Sequence, residues 1–92
     1  MYKVELLPPA ISDLRRLDKL VAQRIINKLR WLAENFESIR PEGLVGPLTG
    51  LNKLRVGDYR AIYEADRENR LTTVHLIGHR REIYHETRDR EL

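Results

Sequence analysis

The residues that could do chemistry gather in the second half of the chain. Lys53 and Arg55 stand two apart in LNKLRV, Arg60 follows in GDYR, and Arg80, Arg81, Tyr84 and His85 close the sequence GHRREIYH. Arginines offer fixed, bidentate donors for phosphate oxygens, and a lysine or tyrosine can move a proton when neighbouring cations favour its unprotonated form. Such a set suits a phosphodiester whose own 2′-OH is the nucleophile, because that reaction needs deprotonation, alignment and charge stabilisation. His79 and His85 are further acid–base candidates, since an imidazole ordinarily titrates near pH ~6.5. His75 falls inside an apolar run and reads as a packed residue. Taken alone, Lys53 and Arg55 equally fit a solvated strand surface, and Arg60 could pair with Asp58 or Glu64. No metal ligand set is expected: three histidines and no cysteine are present, and HExxH is missing.

Other chemistries drop out. Without cysteine there is no disulfide scaffold, thiolate zinc site or thiol catalysis. The two serines, Ser12 and Ser38, lack a nucleophile-elbow motif, and phosphate-binding and dinucleotide fingerprints are missing. The charge is unevenly placed: residues 1–50 carry +2, residues 51–81 carry +3 and residues 82–92 carry −2. The middle block is therefore where a polyanion would bind. No apolar run approaches the ~20 residues that span a bilayer, and residues 1–20 lack the apolar centre of a signal peptide. The expectation is a cytoplasmic protein without membrane contact.

Several elements must position these residues. The 92 residues fit one domain, residues 1–92. Residues 2–7 (YKVELL) alternate as a strand with Tyr2, Val4 and Leu6 on one side. Pro8 and Pro9 stop it and can open a helix running to about Leu17, with Ile11, Leu14 and Leu17 as its stripe. A second helix is predicted over 19–37, its stripe Val21, Ile25, Leu29, Leu32 and Phe36 keeping helical spacing. On a wheel of 100° per residue, Trp31 lies about 280° from Val21, on the same outer side as Leu20. Residues 38–50 read as a loop from their prolines and glycines. Strands follow over 51–56, 59–65 and 71–77, joined by turns short enough to make antiparallel hairpins. The order β-α-α-β-β-β predicts an α+β fold, a mainly antiparallel sheet with a two-helix hairpin on one face. By alternation, Leu54, Val56, Tyr59, Ala61, Tyr63 and Ala65 face the helices. Lys53, Arg55, Arg60, Ile62 and Glu64 then share the open face.

This order, together with LNKLRVGDYRAIYEAD and GHRREIYH, resembles the RelE/ParE superfamily of toxins from type II toxin–antitoxin modules. The resemblance covers nearly the whole chain, including the opening YKVELLPPAISDLRRL, and lies nearer to RelE. It implies a RelE-like, microbial-ribonuclease-like fold and a metal- and cofactor-free endoribonuclease that cleaves mRNA in the ribosomal A site. It further implies Lys53 as catalytic lysine with Arg55 beside it, and Arg60 as the arginine supporting the cleaved phosphate. Arg80, or Arg81 in its place, becomes a second phosphate ligand, and Tyr84 the tyrosine that stacks on a base or assists proton transfer. Asn52 departs from members that carry another lysine and leaves a thinner basic set. The implied partners are the ribosome, mRNA and a RelB-like antitoxin, with operator DNA reached only through the antitoxin. The other branch, ParE-like, inhibits DNA gyrase without nuclease activity. An exposed tryptophan is a common interface anchor, so Leu20 and Trp31 are the candidate antitoxin surface. The alternative is that Trp31 packs against the short helix.

Overall fold

The computed structural model describes residues 1–84. The alternation at the N-terminus gives β1 (Lys3–Leu6), with Lys3 and Glu5 exposed. Pro8 and Pro9 occupy the first turn of α1 (Pro8–Arg15), where a missing N–H leaves nothing unsatisfied. Asp18 caps α2 (Lys19–Asn35): its carboxylate accepts from the Leu20 N–H at 3.0 Å. Then come β2 (Glu42–Gly43), β3 (Asn52–Val56), β4 (Tyr59–Asp66) and β5 (Leu71–His79). The five strands form one sheet in the order β1-β5-β4-β3-β2. β1 runs parallel to β5, and the other three pairings are antiparallel.

Both helices pack on one sheet face. Ile25, Leu29, Leu32 and Phe36 are buried against Tyr2, Leu54, Ala61, Tyr63, Val74 and Ile77. Phe36, one residue past α2, sets its ring 4.6 Å from Tyr2 and edge-on to Tyr63 at 6.5 Å. The α2 stripe is thus the expected one, with Val21 half-buried at its margin. In α1 the buried residues are Ala10 and Asp13, while Ile11 is 39% exposed. Leu14 and Leu17 of the expected stripe pack on the core, but Ala10 and Asp13 turn inward in place of Ile11. The reason is a backbone need. β1 pairs with β5 only as far as Val74, and the Ile77 N–H beyond that ladder donates to Asp13 Oδ2 at 2.9 Å. Turning Asp13 inward satisfies this buried donor, and the Arg16 guanidinium pairs with the other oxygen.

Two further expectations are corrected. Residues 38–50 are not wholly loop: Glu42 and Gly43 pair with Lys53 and Asn52 as a short edge strand. The order is therefore β-α-α-β-β-β-β. The outer sheet face is not open along its length either. Ile62, Leu76 and Ile83 are buried there as a second apolar cluster, bordered by Leu44, Leu51 and Tyr84. A bulge makes room for it: Ile62 pairs with Leu76 and Tyr63 with Val74, leaving His75 as the extra residue. That shift sends Leu76 outward while Val74 and Ile77 join the helix-side core.

Candidate RNA-contacting site

β3 and β4 present the basic residues in register. Lys53 lies opposite Ile62 and Arg55 opposite Arg60. Lys53 is the more sheltered, its side chain 24% exposed against 58% for Arg55. Its Nζ lies 5.9 Å from the centroid of the Tyr84 ring, within cation–π range. The buried Ile83 anchors the segment that brings Tyr84 there. A cavity of about 440 Å³ opens beside this pair, walled by residues of the 43–48 segment. Lys53 and Tyr84 are thus brought together on the outer face, with Arg55 two residues further along the same face of β3.

The arginines of the other candidate positions gather one turn away. Arg60 folds back, its Nη1 donating to the Gly57 carbonyl at 2.8 Å and to the Tyr59 carbonyl at 2.7 Å. Both bonds use one nitrogen, so Nη2 and Nε keep donors for a ligand. Gly57, at φ 59°, supplies the left-handed turn that makes this carbonyl available. Asp58 in the same turn pairs with Arg80 rather than Arg60, at 3.5 Å from Nε, and its carbonyl accepts from the Arg80 N–H. Arg81 is exposed, its N–H donating to His79 Nδ1 at 3.2 Å. The His79 ring meets Tyr59 edge-on at 5.6 Å. His75 lies 3.2 Å from Glu64 on the outer face. His85 lies outside the described residues.

One residue of this site carried no signal in the sequence. Glu42 on β2 reaches Arg55 at 2.9 Å and Lys53 at 4.0 Å through the same oxygen. It occupies the place of an anion between the two cations. Only pairing of β2 with β3 puts it there, and nothing in a loop-like PEG segment announces that pairing. On the helix side, Leu20 is 77% and Trp31 39% exposed, so both lie outside the core. Trp31 does not pack on α1. It sits by Arg24, Asn27 and Lys28 of its own helix and by Val56 of β3.

A family model for the ParE toxin of type II toxin–antitoxin systems, parDE, matches residues 4–84. The chain belongs to the RelE/ParE superfamily of type II toxins. Among solved structures it is similar to E. coli toxin RelE in the free state, a mutant form, with 27% identity, 99% of this chain and 98% of that one covered, and a TM-score of 0.72. The RelBE2 toxin–antitoxin complex of Mycobacterium tuberculosis matches at 23% identity, covering 85% of this chain and 96% of that one, with a TM-score of 0.77. A YoeB/ParE toxin from Agrobacterium tumefaciens shares the fold at 18% identity over 84% of this chain and 96% of that one, with a TM-score of 0.69. A comparison with curated protein sequences gave no significant match. The RelE-like α+β fold expected from the sequence is the fold found. Among the described residues no helix is long and apolar enough to cross a membrane.

Proposed function

We propose that this toxin is a ribosome-dependent endoribonuclease that cleaves mRNA in the A site and so stops translation. The observation that carries the reading is the grouping of Lys53, Arg55 and Tyr84 on one sheet face, with Lys53 Nζ 5.9 Å from the tyrosine ring. In the proposed reaction the 2′-OH attacks the adjacent phosphorus and the 5′-oxygen leaves. The products are a 2′,3′-cyclic phosphate and a 5′-hydroxyl. Lys53 and Tyr84 serve proton transfer, with His79 and His85 as the alternative acid–base pair. Arg55, Arg60 and Arg80 or Arg81 hold the phosphate and offset the charge that grows on it. Glu42 holds Lys53 and Arg55 until a phosphate takes its place. Exposed pairs of this kind contribute only about 0.2–1 kcal/mol, so displacement is cheap.

A RelB-like antitoxin is the proposed inhibitor, docking on the outer stripe of α2 from Leu20 to Trp31. Trp31 borders the basic residues of β3, so a bound inhibitor would obstruct the RNA path as well. Operator DNA is reached only through that antitoxin, residues 1–92 act as one domain, and the proposed site of action is the cytoplasm. The second reading is inhibition of DNA gyrase without nuclease activity, favoured by the match to the ParE model. Mapping mRNA 5′ ends after expression separates the two. New in-frame cuts within translated codons support the ribonuclease. Intact mRNA with gyrase-linked DNA damage overturns it.

A further inference from the structure

Between the outer side of α2 and the β3 edge lies a second cavity, of about 240 Å³, that the reaction above does not use. Its wall includes Lys28, Trp31, Arg40, Glu42, Lys53 and Arg55. Lys53 and Arg55 belong to both this cavity and the proposed catalytic face, so the two are continuous around the sheet edge. Two aromatics line it: Tyr63 is buried in the core, while Trp31 is 39% exposed and reaches the surface. The Lys28 ammonium lies 3.7 Å from the centroid of its ring and holds the indole in place. The cavity wall thus carries four cations and one carboxylate, Glu42, with Lys28 the cation against the indole. An antitoxin seated on the Leu20–Trp31 stripe would compete with RNA for this indole. An exposed indole beside several cations has the chemistry of a single-stranded nucleotide site, one free π-face for the base and donors for the flanking phosphates.

We propose that this pocket is a nucleotide subsite, in which the face of Trp31 not covered by Lys28 stacks on a base of the RNA strand next to the cleaved phosphate while Arg40 holds its backbone. The proposal deepens the ribonuclease reading and rests on RNA being the ligand. Trp31 is the only tryptophan in the chain, so its fluorescence reports the surroundings of this one residue. The probe is a short single-stranded RNA bearing 2′-O-methyl groups, which cannot be cleaved. Titrated into the wild-type protein at low salt, it should quench Trp31 saturably, and added salt should reverse the quenching. Arg40→Gln should weaken binding several-fold. Trp31→Ala should weaken it by about five-fold or more, read by anisotropy of a labelled copy of the RNA. Both variants should keep the far-ultraviolet circular dichroism of the wild type, since both side chains lie outside the core.

Labelled RNA that binds while Trp31 fluorescence stays unchanged would overturn the subsite, as would failure to bind at low salt. Quenching by the cognate antitoxin and not by RNA would assign the pocket to a protein interface and equally end the proposal. The ribonuclease reading fails separately. Quenching without any cleavage of ribosome-bound message refutes the nuclease but leaves the subsite standing, and cleavage without quenching does the reverse.

Discussion

Arg60 carries the heaviest part of the proposed chemistry, because charge on the phosphate peaks in the transition state and a fixed guanidinium meets it there. Its anchoring by the Gly57 and Tyr59 carbonyls fixes the donor before substrate arrives. Arg60→Ala should lower cleavage on programmed ribosomes by about 100-fold or more while leaving the melting temperature nearly unchanged. Cleavage at the wild-type rate would remove Arg60 from the mechanism. Tyr63 behaves differently. Burial pushes its phenol up to about 12, so the fold favours the neutral form. Its contribution to stability is complete below the ordinary tyrosine value of about 10 and is lost as pH rises from there through about 12. Urea unfolding across that alkaline range should show the loss, and Tyr63→Phe should make it smaller. An equally steep loss in the variant would mean that other groups cause it.

At the scale of elements, the joint between α1 and β5 rests on one buried carboxylate. Asp13 is 4% exposed and accepts from the Ile77 N–H. Asp13→Ala leaves that donor unpaired in the core and should cost about 1–3 kcal/mol in urea unfolding. A loss under a few tenths would show that water replaces the carboxylate. α2 makes the opposite case on its outer side. Leu20 contributes nothing to the core, so Leu20→Lys should leave stability within about 0.5 kcal/mol. It should weaken antitoxin binding, measured by calorimetry, if the helix is the docking surface. Unchanged affinity moves the inhibitor elsewhere.

For the whole molecule, charge sets how RNA must be presented. A net +3 is low for holding free RNA against physiological salt. Glu42 lowers the effective charge at β3 further by holding Lys53 and Arg55. Activity should therefore be strong on ribosome-bound message and poor on naked RNA, with the two compared in one cleavage assay at the same salt. Efficient cutting of free RNA would place recognition in the toxin alone and count against a need for the ribosome.

The α+β order, the α2 stripe and the hairpins of the last three strands were legible because each depends on local periodicity and turn chemistry. Parity along β3 and β4 likewise sorted Lys53 and Arg55 from Leu54, and Arg60 from Ala61 and Tyr63. The family signature in LRVGDYRAIYE and HRREIY lies in short segments, so it too was readable without coordinates. What tertiary structure alone decided depends on partners distant along the chain. The inward turn of Asp13 answers an N–H left over where β1 ends, and the bulge at His75 turns Leu76 to the outer face, where it meets Ile62 and Ile83. Glu42 reaches Lys53 and Arg55 only through a two-residue strand too short to leave a pattern. Trp31 shows the same division. Its exposure follows from its angle on the helix, but its place among Lys28, Arg40 and Arg55 follows from the packing of α2 beside β3, which no local spacing encodes.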